Sequence, residues 1–92
     1  MIVSFKHKGL RDFFETGVKK GIQPEHAAKL RRILDRLDAA EKIRDMRYPG
    51  SNLHLLEPKQ AGIWSVTVSG NWRVTFTFEQ GKAYNVDYLD YH

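Results

Sequence analysis

Hydrophobic positions in this chain change their period once, near the middle. Leu30, Ile33, Leu34 and Leu37 fall at i, i+3, i+4 and i+7, the spacing of one helix face. Pro24 precedes that run, where its missing N–H costs a starting helix nothing, and the helix is expected to end near Ala40. A shorter helix is expected from about Leu10 to Thr16, with Gly17 and Gly21 punctuating the stretch beyond its end. Ile2 to Phe5 reads as a short strand leading into it. Beyond the turn-rich stretch Tyr48-Pro49-Gly50-Ser51-Asn52 the period drops to two. Trp64, Val66 and Val68 alternate with Ser65 and Thr67. Trp72, Val74, Phe76 and Phe78 alternate with Arg73, Thr75 and Thr77, and Tyr84, Val86 and Tyr88 with Asn85 and Asp87. These runs predict three half-buried strands in an antiparallel meander.

The loops argue for a register. A two-residue loop at Gly70-Asn71 would set Val68 opposite Arg73 and mix apolar with polar positions. A three-residue loop, Ser69-Gly70-Asn71, sets Val68 opposite Trp72, Val66 opposite Val74 and Trp64 opposite Phe76, which keeps one face dry. The same logic at Glu79-Gln80-Gly81 pairs Phe76 with Tyr84 and Val74 with Val86. It also places Arg73 opposite Asp87 on the polar face, beside Thr67, Thr75 and Asn85. The expected fold class is α+β: an antiparallel β-sheet backed by two N-terminal helices, its polar face open.

Composition narrows this picture. With 92 residues, 41% of them hydrophobic, the chain can bury one core, and residues 1–92 read as a single domain. No repeat, linker or low-complexity tract divides it. Cysteine is absent, which removes disulfides, thiolate metal sites and a cysteine nucleophile. The chain shows neither a membrane-length apolar run nor a secretory leader, so a cytoplasmic location is expected. The formal charge is +4, which favours polyanionic partners. That charge is unevenly placed. Of the 15 Lys and Arg residues only Lys59, Arg73 and Lys82 follow Tyr48, so the other twelve crowd the helical half. Lys29, Arg32 and Arg36 share one face of the second helix; such a stripe is either a solvated face or a nucleic-acid contact. The helical half is the expected docking surface.

Candidate chemistry lies elsewhere. Asp90, Tyr91 and His92 follow the last strand and bring together a carboxylate, a phenol and an imidazole. Arg73 is the one arginine of the sheet region, on its open face. There it could hold a phosphate, or simply pair with Asp87 across the strands. His54, in Leu53-His54-Leu55-Leu56, alternates away from the apolar side, as an edge residue or a site residue. His7 and His26 have no special context. A metal site from His54, Asp90 and His92 matches no ligand spacing, so neither metal nor other cofactor is expected.

Several of these segments carry a resemblance. Ser4-Phe5-Lys6-His7-Lys8-Gly9-Leu10, Phe14-Glu15, Gly17, Trp64-Ser65-Val66-Thr67-Val68, Asn71-Trp72-Arg73-Val74-Thr75-Phe76 and the terminal Asp90-Tyr91-His92 resemble the HigB family of toxins, within the RelE/ParE superfamily. The resemblance runs essentially end to end. It implies a RelE-like fold and a toxin that cleaves translated mRNA on the ribosome. It also implies a HigA-like helix-turn-helix antitoxin as partner, in a toxin–antitoxin hetero-oligomer. It assigns RNA cleavage to His54, Arg73, Asp90, Tyr91 and His92. Lys6, Lys8, Lys29, Arg32, Arg36 and Lys59 become the candidates for RNA or ribosome contact. Family members place basic residues after the His54 position, where this chain has Glu57-Pro58 before Lys59. Two other classes remain open: a ParE-like poison of DNA gyrase, and a non-catalytic RNA- or protein-binding domain. Neither needs the terminal triad.

Overall fold

The computed structural model describes residues 1–56 and 62–91. Two helices lie against one face of a four-stranded antiparallel sheet of order β1-β2-β3-β4, the expected α+β architecture. Helix α1 spans Lys8–Thr16 and α2 spans Ala27–Ala39. The strands are β1 His54–Leu55, β2 Trp64–Ser69, β3 Trp72–Glu79 and β4 Lys82–Asp90.

Helix α1 begins where the His7 ring nitrogen Nδ1 accepts the Leu10 N–H at 2.9 Å, satisfying one of the orphan donors of the first turn. It stops at Gly17, whose φ of 82° lies in the left-handed region open to a residue without Cβ. Pro24 does not open α2 directly. It starts a single 3-10 turn, Pro24–His26, and the α-helix follows. The expected stripe is the buried face: Leu30, Ile33, Leu34 and Leu37 are at most 2% exposed. They pack with Leu10 and Phe13 of α1 against Val66, Val68, Val74, Phe76 and Val86 of the sheet. Arg31 clamps the two helices, with its guanidinium 5.1 Å from the Phe13 ring centre and a hydrogen bond to the Phe13 carbonyl.

The strand register corrects the sequence reading in a specific way. Both hairpins turn in two residues, with Ser69 opposite Trp72 and Glu79 opposite Lys82. Gln80 and Gly81 both take positive φ, as a tight primed turn requires. A bulge then repairs each parity. In β2 the extra residue is Val68, after which Thr67–Arg73, Val66–Val74 and Trp64–Phe76 pair as expected. In β4 the pairing shifts between Thr77–Tyr84 and Thr75–Asp87, around Asn85, whose φ is 55°. The tight turn has already moved the register by one residue and this bulge adds a second, so partners beyond it stand two residues from the expected register. Arg73 therefore faces Leu89 instead of Asp87 and Val74 faces Tyr88, while Thr77 faces Tyr84 through the turn alone. Tyr84 falls on the polar side, and Ala83, fully buried, takes the core position.

The N-terminal segment pairs in parallel with the outer edge of β4 at two isolated bridges, Ile2–Ala83 and Phe5–Val86. The Asn85 bulge lies between them, and there the Asn85 N–H turns to the Ser4 hydroxyl at 2.9 Å. Bulge geometry breaks the expected first strand into two contacts.

Candidate active site

His54 pairs with Ser65 in the sheet, and Ser65 pairs with Thr75. Directly opposed residues share a face, so His54 stands on the side away from the helices. Thr67 and Arg73, the next polar pair along β2 and β3, lie on the same side. Together with Arg47, Asn52 and the Gly50-Ser51 turn they line a cleft of about 500 Å³. Each charged residue of that lining is an arginine, so the cleft attracts anions.

The loop that reaches the cleft is built for its task. Ser51 is buried and its carbonyl accepts the Thr67 N–H at 2.8 Å, tying the turn to β2. Asn52 adopts φ 47°, a left-handed conformation that asparagine tolerates better than most residues. That twist brings its carbonyl 2.8 Å from His54 Nδ1. A carbonyl only accepts, so Nδ1 carries a proton and neutral His54 keeps its basic lone pair on Nε2. In that tautomer Nε2 is the ring nitrogen left to accept a hydrogen bond.

Arg73 is held from one end. Its Nη1 donates to the Gly70 carbonyl at 2.6 Å and to the Trp72 carbonyl at 3.0 Å. Asp87 lies opposite Thr75, and its Oδ1 accepts the Tyr88 N–H at 2.9 Å. The cross-strand ion pair expected from sequence does not form, because the two-residue turn and the Asn85 bulge each displace Asp87 by one residue. The Arg73 charge is anchored by main-chain oxygens and is not neutralised by that carboxylate.

Of the C-terminal candidates, Asp90 and Tyr91 lie at the Trp72–Arg73 end of the sheet. Asp90 opposes Trp72, on the helix-packed side, and is exposed at its rim. Tyr91 is 45% exposed, and its N–H reaches the Asn71 carbonyl at 2.7 Å, extending the ladder one position past β4. His92 and Lys59 lie outside the described residues. Among the described residues no group of three or more His, Cys, Asp or Glu is placed to hold a metal ion.

What fixes this strand end is a cluster invisible in the sequence. The Tyr88 hydroxyl lies 2.6 Å from His26 Nδ1 and accepts the Gln23 N–H at 3.4 Å. Its ring stacks on Trp72 at 4.7 Å and meets the edge of His7 at 5.5 Å. Burial pushes the Tyr88 hydroxyl above its ordinary pKa of 10.0. His7 and His26, given no role from sequence, are a helix cap and a buried partner of Tyr88. Arg47 and Asn52 are the cleft residues that the sequence did not single out. Arg47 follows a short 3-10 turn, Ile43–Met46, and nothing local marks it as a site residue.

The basic residues divide. Lys29, Arg32 and Arg36 line a groove of about 660 Å³ between α2 and the Tyr48-Pro49 turn. Lys8 pairs with Asp12 at 2.9 Å, and Lys6 is exposed beside β4; neither lines the cleft or the groove. No helix is long and apolar enough to cross a membrane among the described residues.

Comparison with known proteins agrees with the resemblance. Residues 3–92 match the family model of the HigB-like toxin, described as a RelE-like toxin of type II toxin–antitoxin systems. The chain is 42% identical to "Endoribonuclease HigB" of Proteus vulgaris over 92 residues, covering all of both chains. It is 35% identical to "Toxin HigB-1" of Vibrio cholerae serotype O1, an alignment that takes in all of this chain and 98% of the relative. An uncharacterized protein of Haemophilus influenzae is 37% identical over 90 residues, 96% of this chain and 88% of that one. The chain belongs to the HigB-like, RelE-like toxins of type II toxin–antitoxin systems, a membership that implies an antitoxin partner.

Proposed function

We propose that this toxin is an endoribonuclease that cuts mRNA during translation on the ribosome, by acid–base chemistry that uses the RNA 2′-hydroxyl and needs no metal. The observation that carries the reading is the shared cleft of His54 and Arg73, with Nδ1 of His54 committed to the Asn52 carbonyl. A base takes the 2′-hydroxyl proton, the 2′-oxygen bonds to phosphorus, the bond to the 5′-oxygen breaks, and an acid protonates that leaving oxygen. The products are a 2′,3′-cyclic phosphate and a 5′-hydroxyl end.

Arg73 binds the scissile phosphate and offsets the charge that grows on it in the transition state. His54 and His92 share the proton transfers. Tyr91 orients or stacks on a base, and Asp90 orients a histidine from its position at the rim. The toxin acts in the cytoplasm. Lys6, Lys8, Lys29, Arg32, Arg36 and Lys59 supply contacts to RNA or the ribosome, since phosphate contacts give sequence-independent affinity. The antitoxin is a HigA-like helix-turn-helix protein that silences the toxin in a hetero-oligomer.

The test is cleavage of the same mRNA free and under translation, with DNA gyrase supercoiling assayed in parallel. Cutting confined to translated mRNA is expected. Efficient cutting of naked RNA counts against ribosome dependence, and gyrase poisoning without cutting points to the ParE branch.

A further inference from the structure

The groove beside α2 is not isolated from the cleft. Tyr48 lines both cavities, and Arg47, its neighbour in the chain, lines the cleft. The Arg36 guanidinium lies 4.9 Å from the Tyr48 ring centre, so a cation is fixed on the wall that the two cavities share. The Tyr48 hydroxyl at this junction is buried and has no hydrogen-bond partner among the described residues.

Beyond the junction the cations spread instead of converging. Lys29, Arg32 and Arg36 lie at i, i+3 and i+7 along α2, spanning about 10 Å of helix axis. A single anion needs convergent donors; a row of cations suits a chain of phosphates. The one carboxylate in the groove, Asp35, is drawn to Arg31 at 3.5 Å, which weakens its repulsion of an anionic ligand. From Arg73 through Arg47 and Arg36 to Arg32 and Lys29, the lining of the two adjoining cavities carries five cationic side chains against that one acid.

We infer that the groove between α2 and the Tyr48-Pro49 turn is a second RNA site, which holds backbone phosphates of the same single strand that is cut in the adjoining cleft. This rests on the cleavage reading of the cleft, and it assigns the basic face of α2 to the substrate strand instead of ribosomal RNA. The strand crosses from one cavity to the other over Arg47 and Tyr48. Part of the substrate's grip is thereby moved away from the reacting phosphate.

The experiment uses the full chain and single-stranded RNA made uncleavable by 2′-deoxy substitution at the scissile nucleotide. Binding of a dinucleotide and of an octanucleotide is measured across a salt series. Each phosphate contact to a single strand contributes about −0.7 to the slope of log K against log salt, so three groove cations should steepen the octanucleotide slope by about two. Arg32→Gln and Arg36→Gln, both at exposed positions, should each lower that slope by about 0.7 and leave dinucleotide binding unchanged. Equal slopes for the two lengths overturn the inference. So do groove variants that bind the octanucleotide normally but lose affinity for ribosomes free of mRNA, which would return α2 to ribosomal docking. Arg73→Gln separates the two levels: it should weaken both oligonucleotides. If it weakens neither, the cleft reading fails, and the inference with it.

Discussion

Replacing Tyr88 with Phe removes one oxygen from the cluster that holds the end of β4. The ring itself can stay, stacked on Trp72 at 4.7 Å and against the edge of His7 at 5.5 Å. What disappears is the 2.6 Å contact with His26 Nδ1. His26 is only 7% exposed, so water cannot readily take the place of the lost hydroxyl. The Gln23 N–H also loses its acceptor, but Gln23 is exposed and its bond of 3.4 Å is long, so this adds little. A buried polar atom stripped of its partner costs about 1–3 kcal/mol. For a domain of this size each kcal/mol lowers the melting temperature by about 4–8 °C, so Tyr88→Phe should melt about 4–24 °C lower. Calorimetry or thermal circular dichroism reads this directly, with Tyr91→Phe, 45% exposed, as the unaffected control. A second arm sharpens the test. Adding His26→Phe to Tyr88→Phe removes the stranded nitrogen, so the double variant should cost less than the sum of the single ones. A Tyr88→Phe melting point equal to the parent's, or strictly additive costs, would refute the proposed buried bond.

Other outcomes rest on single contacts. Arg73→Ala should abolish most cleavage with little change in melting temperature. Arg73→Lys should restore only part, since an ammonium lacks the fork that can bond a carbonyl and a phosphate together; retained cleavage in Arg73→Ala would remove Arg73 from the site. Gly9→Ala would put a Cβ 2.7 Å from the Gly21 Cα, backbone against backbone, so denaturant titration should show a loss of about 1–3 kcal/mol. The N–H groups of Lys42 and Glu41 hold the Asp45 carboxyl below its ordinary 3.8. Its contribution is present above that value and is lost as pH falls through the lower folded value, so Asp45→Ala should flatten the acid limb of the stability curve below about pH 4. Deleting Tyr91 and His92 removes no buried residue of the described core, so growth arrest should vanish while the melting temperature moves little; full toxicity would return the search to His54 and Arg73 alone.

Much of the scaffold was written in periodicity, and its exceptions have one cause. The stripe from Leu30 to Leu37, the Val66–Val74 and Trp64–Phe76 pairs and the shared face of His54 and Arg73 follow from alternation and one dry side. Alternation cannot tell a three-residue loop from a two-residue turn followed by a bulge, because both preserve parity. Val68 carries no mark of being the extra residue. Asn85 does carry one, being a polar residue that tolerates positive φ in the middle of an apolar run. The two-residue turn alone takes Tyr84 out of the core, and turn and bulge together make Asp87 miss Arg73. His26 was illegible for a different reason: its partner Tyr88 is 62 residues away, and burial of the pair is a property of the whole fold. Arg47 likewise enters the cleft through the path of the Ile43–Met46 turn, which no pattern of charges foretells.

The chemistry of the cut ends separates attack by the 2′-hydroxyl from attack by water. Translated mRNA is incubated with the toxin, and the new termini are assigned by mass spectrometry of the fragments. Attack by the 2′-hydroxyl, with His54 in proton transfer and Arg73 on the phosphate, predicts a 2′,3′-cyclic phosphate and a 5′-hydroxyl, absent with either His54→Ala or Arg73→Ala. A 5′-phosphate end, which requires water or hydroxide as the attacking group, would exclude attack by the 2′-hydroxyl.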